Sequence, residues 1–196
     1  MTKKEEIILV TLDLASKYGL KSLSMSQIAE GVGIRKPSLY NHFDSKETLI
    51  KELYQYIRDK SKENINSTIL NESFLNKSAY DILYESVMNY KSMVLSDKLL
   101  RFYKVIYSER TTNKDASIIV IEETNKMINA TKQLIKLLVD NNKLFIDDIE
   151  MGSISFSMTI HSLIDYELDC KTNNQDYDQN NIQKYIKWFC NQYRKE

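Results

Sequence analysis

The chain has 196 residues, with 27 Lys and Arg against 27 Asp and Glu, so its formal net charge is zero. Balanced charge excludes a general attraction to nucleic acid or to an anionic membrane, and any such contact has to come from a local patch. No apolar run approaches the roughly 20 residues that span a bilayer, nothing at the start reads as a secretory signal, and Cys170 and Cys190 sit in no metal-ligand spacing; a soluble cytoplasmic protein with two reduced, structural thiols is expected.

The helix breakers crowd one end. Pro37 is the sole proline, and the glycines are Gly19, Gly31, Gly33 and Gly152, so a turn-rich head precedes a body almost free of breakers. The first predicted helix runs from about Lys3 to Tyr18, with Ile7, Val10, Leu14 and Tyr18 as its apolar face and Gly19 as its C-terminal cap. Ser24 stands as an N-cap with Gln27 three residues on, and Met25, Ile28, Ala29 and Val32 form the inward face of a short second helix. Gly33 ends it, Ile34 plugs the turn, and Pro37 falls in the first turn of a third helix, where a missing amide hydrogen costs nothing. Leu39 and Phe43 face inward there. Three short helices with a tight glycine turn between the last two make a helix-turn-helix.

The outward side of the third helix carries Arg35, Lys36, Ser38, Tyr40, Asn41 and His42, and no carboxylate occurs between Glu30 and Asp44. Such a surface suits the major groove, where side chains near a helix start reach base edges and flanking groups hold phosphates. The next helix begins near Ser45, so Lys46 and the free amides of its first turn can receive a phosphate. Taken in order, Gly19-Leu20, Ser24-Met25-Ser26-Gln27-Ile28-Ala29, Gly33-Ile34, Ser38-Leu39-Tyr40-Asn41-His42-Phe43 and Ser45-Lys46-Glu47-Thr48-Leu49 resemble the N-terminal signature of TetR/AcrR-family regulators. The resemblance covers the first quarter of the chain. It implies groove contacts for Lys36, Pro37, Ser38, Asn41 and His42, and phosphate contacts for Ser24, Ser26, Tyr40 and Lys46. Position 37 is more often a small residue in the family, and Asn41 stands where an aromatic is common, so the operator sequence is not transferable from a relative.

Beyond the head, helices are predicted at about 45–64, 77–95, 97–110, 114–140, 147–169 and 179–194, which reads as an all-α bundle continuous with the head. The implied division is a DNA-binding domain over 1–46 and a ligand-binding and dimerisation domain over 47–196. In the family, the last two long helices build a four-helix dimer bundle and the preceding ones enclose an effector cavity. The dimer candidates are Ile154, Met158, Ile164 and Leu168 on one helix, with Ile182, Tyr185, Ile186, Phe189 and Tyr193 on the next; intrachain core is the other use for about half of them. Tyr84, Met88, Phe102, Tyr103, Tyr107 and Met127 are the cavity candidates, since aromatic and thioether side chains suit a flat or flexible apolar molecule, although at helical spacing ordinary core is the expected use of any one of them. His161 faces either the cavity or a dimer partner.

An enzyme is not expected. His42 and His161 are the only histidines, no glycine-rich phosphate loop follows a strand, and the cluster Asp147, Asp148, Glu150 complements a helix start. No catalytic residue, metal site or cofactor is assigned. The sequon Asn66-Ser67-Thr68 has no meaning in the cytoplasm. The sequence thus points to a homodimeric regulator released from a pseudo-palindromic duplex by a small hydrophobic or aromatic effector. A ligand-independent regulator of the same fold, and a helical interaction module that binds no DNA, are the alternatives.

Overall fold

A computed structural model describes residues 1–63 and 76–194. Among the described residues there are nine helices and no strand: α1 (Lys3–Tyr18), α2 (Met25–Val32), α3 (Lys36–Tyr40), α4 (Lys46–Glu63), α5 (Ala79–Val94), α6 (Asp97–Glu109), α7 (Lys114–Asp140), α8 (Ile149–Thr172) and α9 (Asn181–Gln192). The sequon at 66–68 and the end of the predicted fourth helix at Asn64 lie outside the described residues. No helix among the described residues is long and apolar enough to cross a membrane.

The chain forms two compact units. Of the described residues, the first comprises 1–63 and 95–122, and the second 76–94 and 123–194, so α7 contributes to the first as far as Glu122 and to the second beyond it. The boundary expected at residue 46 falls inside the first unit.

In the first unit, Thr2 and Glu5 close a capping box at the start of α1, and Ser24 and Gln27 close another on α2. The buried face of α1 is not the expected stripe. Ile7, Ile8, Thr11, Leu12 and Ala15 are buried, Val10 and Leu14 are half-buried, and Tyr18 is 67% exposed. The cause is that α1 is packed from several sides, by α2, α4 and α6, which widens and turns its buried arc. A Cβ at Gly31 would come within 2.9 Å of Leu14 Cδ1 and 3.1 Å of Val10 Cγ1, so glycine lets α2 approach α1 there. Around Ile28, Leu39, Phe43, Leu49 and Leu53 the core is completed by Phe102, Val105 and Ile106 from α6 and by Ala116 and Ile119 from α7.

The second unit is built on α5, the later part of α7, α8 and α9. Ile182, Ile186 and Phe189 are spaced to one side of α9 and are buried, with Phe189 edge-on to Phe156 of α8 at 4.8 Å. The interior face of α8 includes Ser153 and Ser157, whose hydroxyls bond back to the carbonyls of Ile149 and Ser153 at 2.6 and 2.7 Å and so leave no buried polar group stranded. Asp148, from the acidic cluster, is the N-cap of α8, accepting the Met151 amide at 2.9 Å. Asn142 and Asn174 take left-handed backbone just past α7 and α8, a common helix-ending device.

Candidate nucleic-acid interface

The head is shaped by its turns. Gly33 adopts φ 74° and ψ 29°, and this left-handed residue lets the Ile34 amide reach back to the Ala29 carbonyl at 2.9 Å, closing α2 and redirecting the chain. Pro37 then occupies the first turn of α3, a helix of only five residues, and the Phe43 amide bonds to the Leu39 carbonyl at 3.1 Å as the chain leaves it. Leu39 and Phe43 are fully buried, so the segment is anchored by its apolar side and its other side is left outward. Arg35, Lys36, Pro37, Tyr40 and Asn41 are exposed, Ser38 and His42 partly so. Asn41 and His42 lie in the turn after α3 rather than on the helix, a consequence of its shortness.

The flanking groups form a second set. Ser24 is a committed cap: its Oγ accepts the Gln27 amide at 3.3 Å and donates to Gln27 Oε1 at 2.8 Å. Ser26 is exposed on the first turn of α2. Ser45 Oγ accepts the Thr48 amide at 3.1 Å, which fixes the start of α4 and with it Lys46. The Lys46 ammonium donates to the Lys21 carbonyl at 3.0 Å, a contact with no sequence signal, since it joins residues 25 apart through a backbone atom. Two open grooves lie in this unit, one of about 310 Å³ lined by Leu9, Leu12, Asp97 and Arg101, the other of about 300 Å³ lined by Leu14, Tyr18, Leu23, Gln27, Glu30 and Gly31. Arg101 bridges Asp97 and Asp13 beside the first, and the hydrogen bond from Lys17 holds the Asp13 carboxyl below its ordinary range.

The residues singled out for an effector are divided. Phe102, Tyr103 and Tyr107 belong to the first unit, and Phe102 is 4% exposed in its core, so it is packing rather than cavity wall. Tyr84, Met88, Met127 and His161 belong to the second. There the Tyr90 hydroxyl lies 3.1 Å from His161 Nδ1 and 3.4 Å from Met127 Sδ, which directs His161 toward the interior of its own unit. Close by in sequence, Lys91 and Lys171 both bond the Glu167 carboxylate, at 2.6 and 2.7 Å. Tyr90, Lys91 and Glu167 were not foreseen, because polar residues on a helix read as solvated until a second helix covers them. Of the dimer candidates, Ile164, Ile182, Ile186 and Phe189 are at most 4% exposed within the chain itself and belong to its core, leaving them little area for a partner. Ile154, Leu168 and Tyr193 are half-buried and Met158 is 45% exposed. Cys170 and Cys190 are free thiols, and burial pushes Cys190 up to about 11. Among the described residues no three His, Cys, Asp or Glu side chains come together as a metal site.

A short, exposed, carboxylate-free helix set behind a glycine turn on an all-helical scaffold defines the class of helix-turn-helix proteins. Residues 7–53 match the family described as bacterial regulatory proteins, tetR family. The chain is 31% identical over 99 residues to the HTH-type transcriptional regulator YuxN of Bacillus subtilis, a match covering 48% of the chain and 34% of that protein. It is 30% identical over 104 residues to IcaR, the negative transcriptional regulator of the biofilm operon icaADBC of Staphylococcus aureus, covering 51% of each. The matched part of the chain therefore spans about a third to a half of these curated relatives. Across the whole fold it superimposes on MexZ, a repressor of Pseudomonas aeruginosa, with a TM-score of 0.73 at 16% identity, covering 98% of this chain and 94% of that one. Residues 7–53 are thus similar to the tetR family, and the fold of the whole chain is that of solved regulators such as MexZ.

Proposed function

We propose that the protein is a DNA-binding transcriptional regulator, a repressor acting as a homodimer on a pseudo-palindromic duplex. The observation that carries this is the outward side of α3 and its turn, where Arg35, Lys36, Tyr40 and Asn41 stand exposed around a buried Leu39–Phe43 anchor. Lys36, Pro37, Ser38, Asn41 and His42 are the groove contacts, and Ser26, Arg35, Tyr40 and Lys46 the phosphate contacts. Ser24 contributes chiefly by capping α2, since its hydroxyl proton is already given to Gln27. One such segment reads too few base pairs alone, which asks for a dimer. The exposed Met151 and Met158 of α8 and Trp188 of α9 offer an apolar face for it, with Tyr185 stacked on Trp188 and bonded to the Ser155 carbonyl.

The test is selection from a random duplex library followed by titration at several salt concentrations. Affinity falls steeply with salt as phosphate contacts displace counterions. Lys46→Ala weakens binding almost uniformly across operator variants, and Lys36→Ala also relaxes base preference by about 1–3 kcal/mol at one position. No selected duplex at low salt would overturn the reading.

For release, the reading is a small hydrophobic or aromatic effector bound in the second unit, supported by the half-buried Tyr90, Met127 and His161 cluster. Operator and effector must then weaken each other's binding by the same factor. Ligand-independent regulation is the second reading. It is favoured by Phe102, an effector candidate that is packed into the core of the first unit. A thermal-shift screen of planar and apolar molecules, each hit titrated with and without operator, separates the two.

A further inference from the structure

Lys21, in the turn between α1 and α2, is held at both ends. Its backbone carbonyl accepts the Lys46 ammonium at 3.0 Å, while its own ammonium donates to Thr112 Oγ1 at 2.7 Å and stands 3.9 Å from Glu109 Oε2. The turn is stiffened by Ser22, whose hydroxyl reaches the Tyr18 and Gly19 carbonyls at 2.5 and 2.9 Å. On the far side, Thr112 is oriented by its hydroxyl's bond to the Glu109 carbonyl at 3.3 Å, and the amides of Thr112 and Asn113 bond to the same oxygen at 3.0 and 2.9 Å. Glu109 is 6% exposed. A carboxylate buried in the unit that faces DNA works against phosphate binding and costs desolvation, so it needs a compensating cation, which Lys21 supplies.

We propose that Lys21 is a positioning residue of the DNA interface: anchored by Glu109 and Thr112 at the corner between α6 and α7, it holds the carbonyl that sets the Lys46 ammonium at the start of α4. This rests on the reading of the head as a DNA reader. It makes the readiness of a phosphate-contacting charge depend on the α6–α7 corner, so a shift of that corner alters DNA affinity without any change on the DNA-facing surface. The anchoring is polar and lies at the rim of the first unit's core, where an ion pair and hydrogen bonds rearrange more readily than packed side chains do.

The sign of one substitution separates positioning from bulk electrostatics. Glu109→Gln removes a negative charge, which by charge alone strengthens DNA binding; by loss of the anchor it weakens it. The experiment titrates a selected duplex with the full chain carrying Glu109→Gln or Thr112→Val, each made in the otherwise unchanged protein and in Lys46→Ala, with melting temperatures measured alongside. The expected result is a loss of affinity on the order of 5-fold in the unchanged background and none beside Lys46→Ala, the signature of coupled positions. Thr112→Val leaves the Glu109 charge in place and keeps the test decisive if Glu109→Gln does not fold. Unchanged or tighter binding, or an equal loss in both backgrounds, overturns the positioning role while the DNA reading stands. Failure of the unchanged protein to bind any duplex removes that reading and this role with it.

Discussion

In the first unit, Ile7, Ile28, Leu39 and Leu53 are enclosed by other apolar side chains, ion pairs such as Arg101–Asp13 and Lys4–Glu52 sit toward the outside, and the buried Glu109 meets a single lysine, Lys21, that is itself largely exposed. In the second, an apolar layer around Ile160, Ile186 and Phe189 coexists with the Tyr90–His161 contact and the Lys91–Glu167–Lys171 group, in which Glu167 is 8% exposed. The contrast separates two ways of holding helices together. Apolar burial is non-directional and tolerates small displacements, whereas a buried charge has to find its partners within hydrogen-bond distance or be a liability. The first arrangement keeps its helices together through small shifts; the second makes the packing depend on a few polar contacts staying within reach.

The largest effect is expected where the first unit borrows from later in the chain. Phe102 lies beyond the helix-turn-helix in sequence but in its core, so Phe102→Ala should cost about 3–5 kcal/mol, as for other buried aromatics. Loss of operator affinity in parallel with stability is the outcome that fits. If denaturant titration shows a loss under about 1 kcal/mol, with effector response alone altered, Phe102 is cavity wall after all.

Next comes the polar interior of the second unit. Burial works against the charge of Glu167, but the hydrogen bonds from Lys171 and Lys91 outweigh it and hold the carboxyl below its ordinary 4.5. A lowered folded value means that the stabilisation is present above 4.5 and is lost as pH falls through the folded value. Glu167→Gln keeps the shape, leaves Lys91 and Lys171 without their anion, and should cost on the order of 2–3 kcal/mol at neutral pH, less than a fully enclosed pair because Lys171 is half exposed. The penalty should shrink in acid, where the unchanged protein loses the same interaction. A penalty independent of pH would assign it to packing instead.

These two cases also mark what a sequence reader can see. The head was legible because its information is local: Ser24 with Gln27, Gly33, Pro37 and the Leu39–Phe43 pair each carry their own turn chemistry, and the structure places α2 and α3 on those signals. The exposed Arg35, Lys36 and Asn41 were legible for the same reason. Periodicity located the body helices to within a few residues, and α7 at its observed bounds. What periodicity does not encode is the number of sides from which a helix is packed. Spacing puts Tyr18 inside where it is outside, gives no sign of the fully buried Thr11, and leaves Phe102 open between cavity and core, where it is core. Long-range polar partners such as Lys21 with Thr112, or Lys91 with Glu167, leave no mark on local pattern at all.

The smallest expected effect reverses the usual direction of a core substitution. Tyr54 is 1% exposed in the apolar core of the first unit, and among the described residues its hydroxyl has no hydrogen-bond partner. An unsatisfied buried hydroxyl costs about 1–3 kcal/mol of desolvation, while the ring's packing is untouched by removing it. Tyr54→Phe should therefore stabilise the protein, by about 1 kcal/mol at neutral pH once the small void is allowed for. A second signature follows in alkali. Burial, helped by the Glu109 and Asp115 carboxylates, pushes the Tyr54 hydroxyl up to about 12 from its ordinary 10.0. A raised folded value means that stability is full below 10.0 and falls as pH climbs toward 12, because the unfolded chain releases the proton first. The Phe variant has no proton to release, so its advantage should widen over that window. Chemical denaturation at pH 7 and at pH 11 reads both effects. A variant less stable than the parent at pH 7 would show that the hydroxyl is satisfied in solution and that the first unit, too, holds a polar contact at its centre.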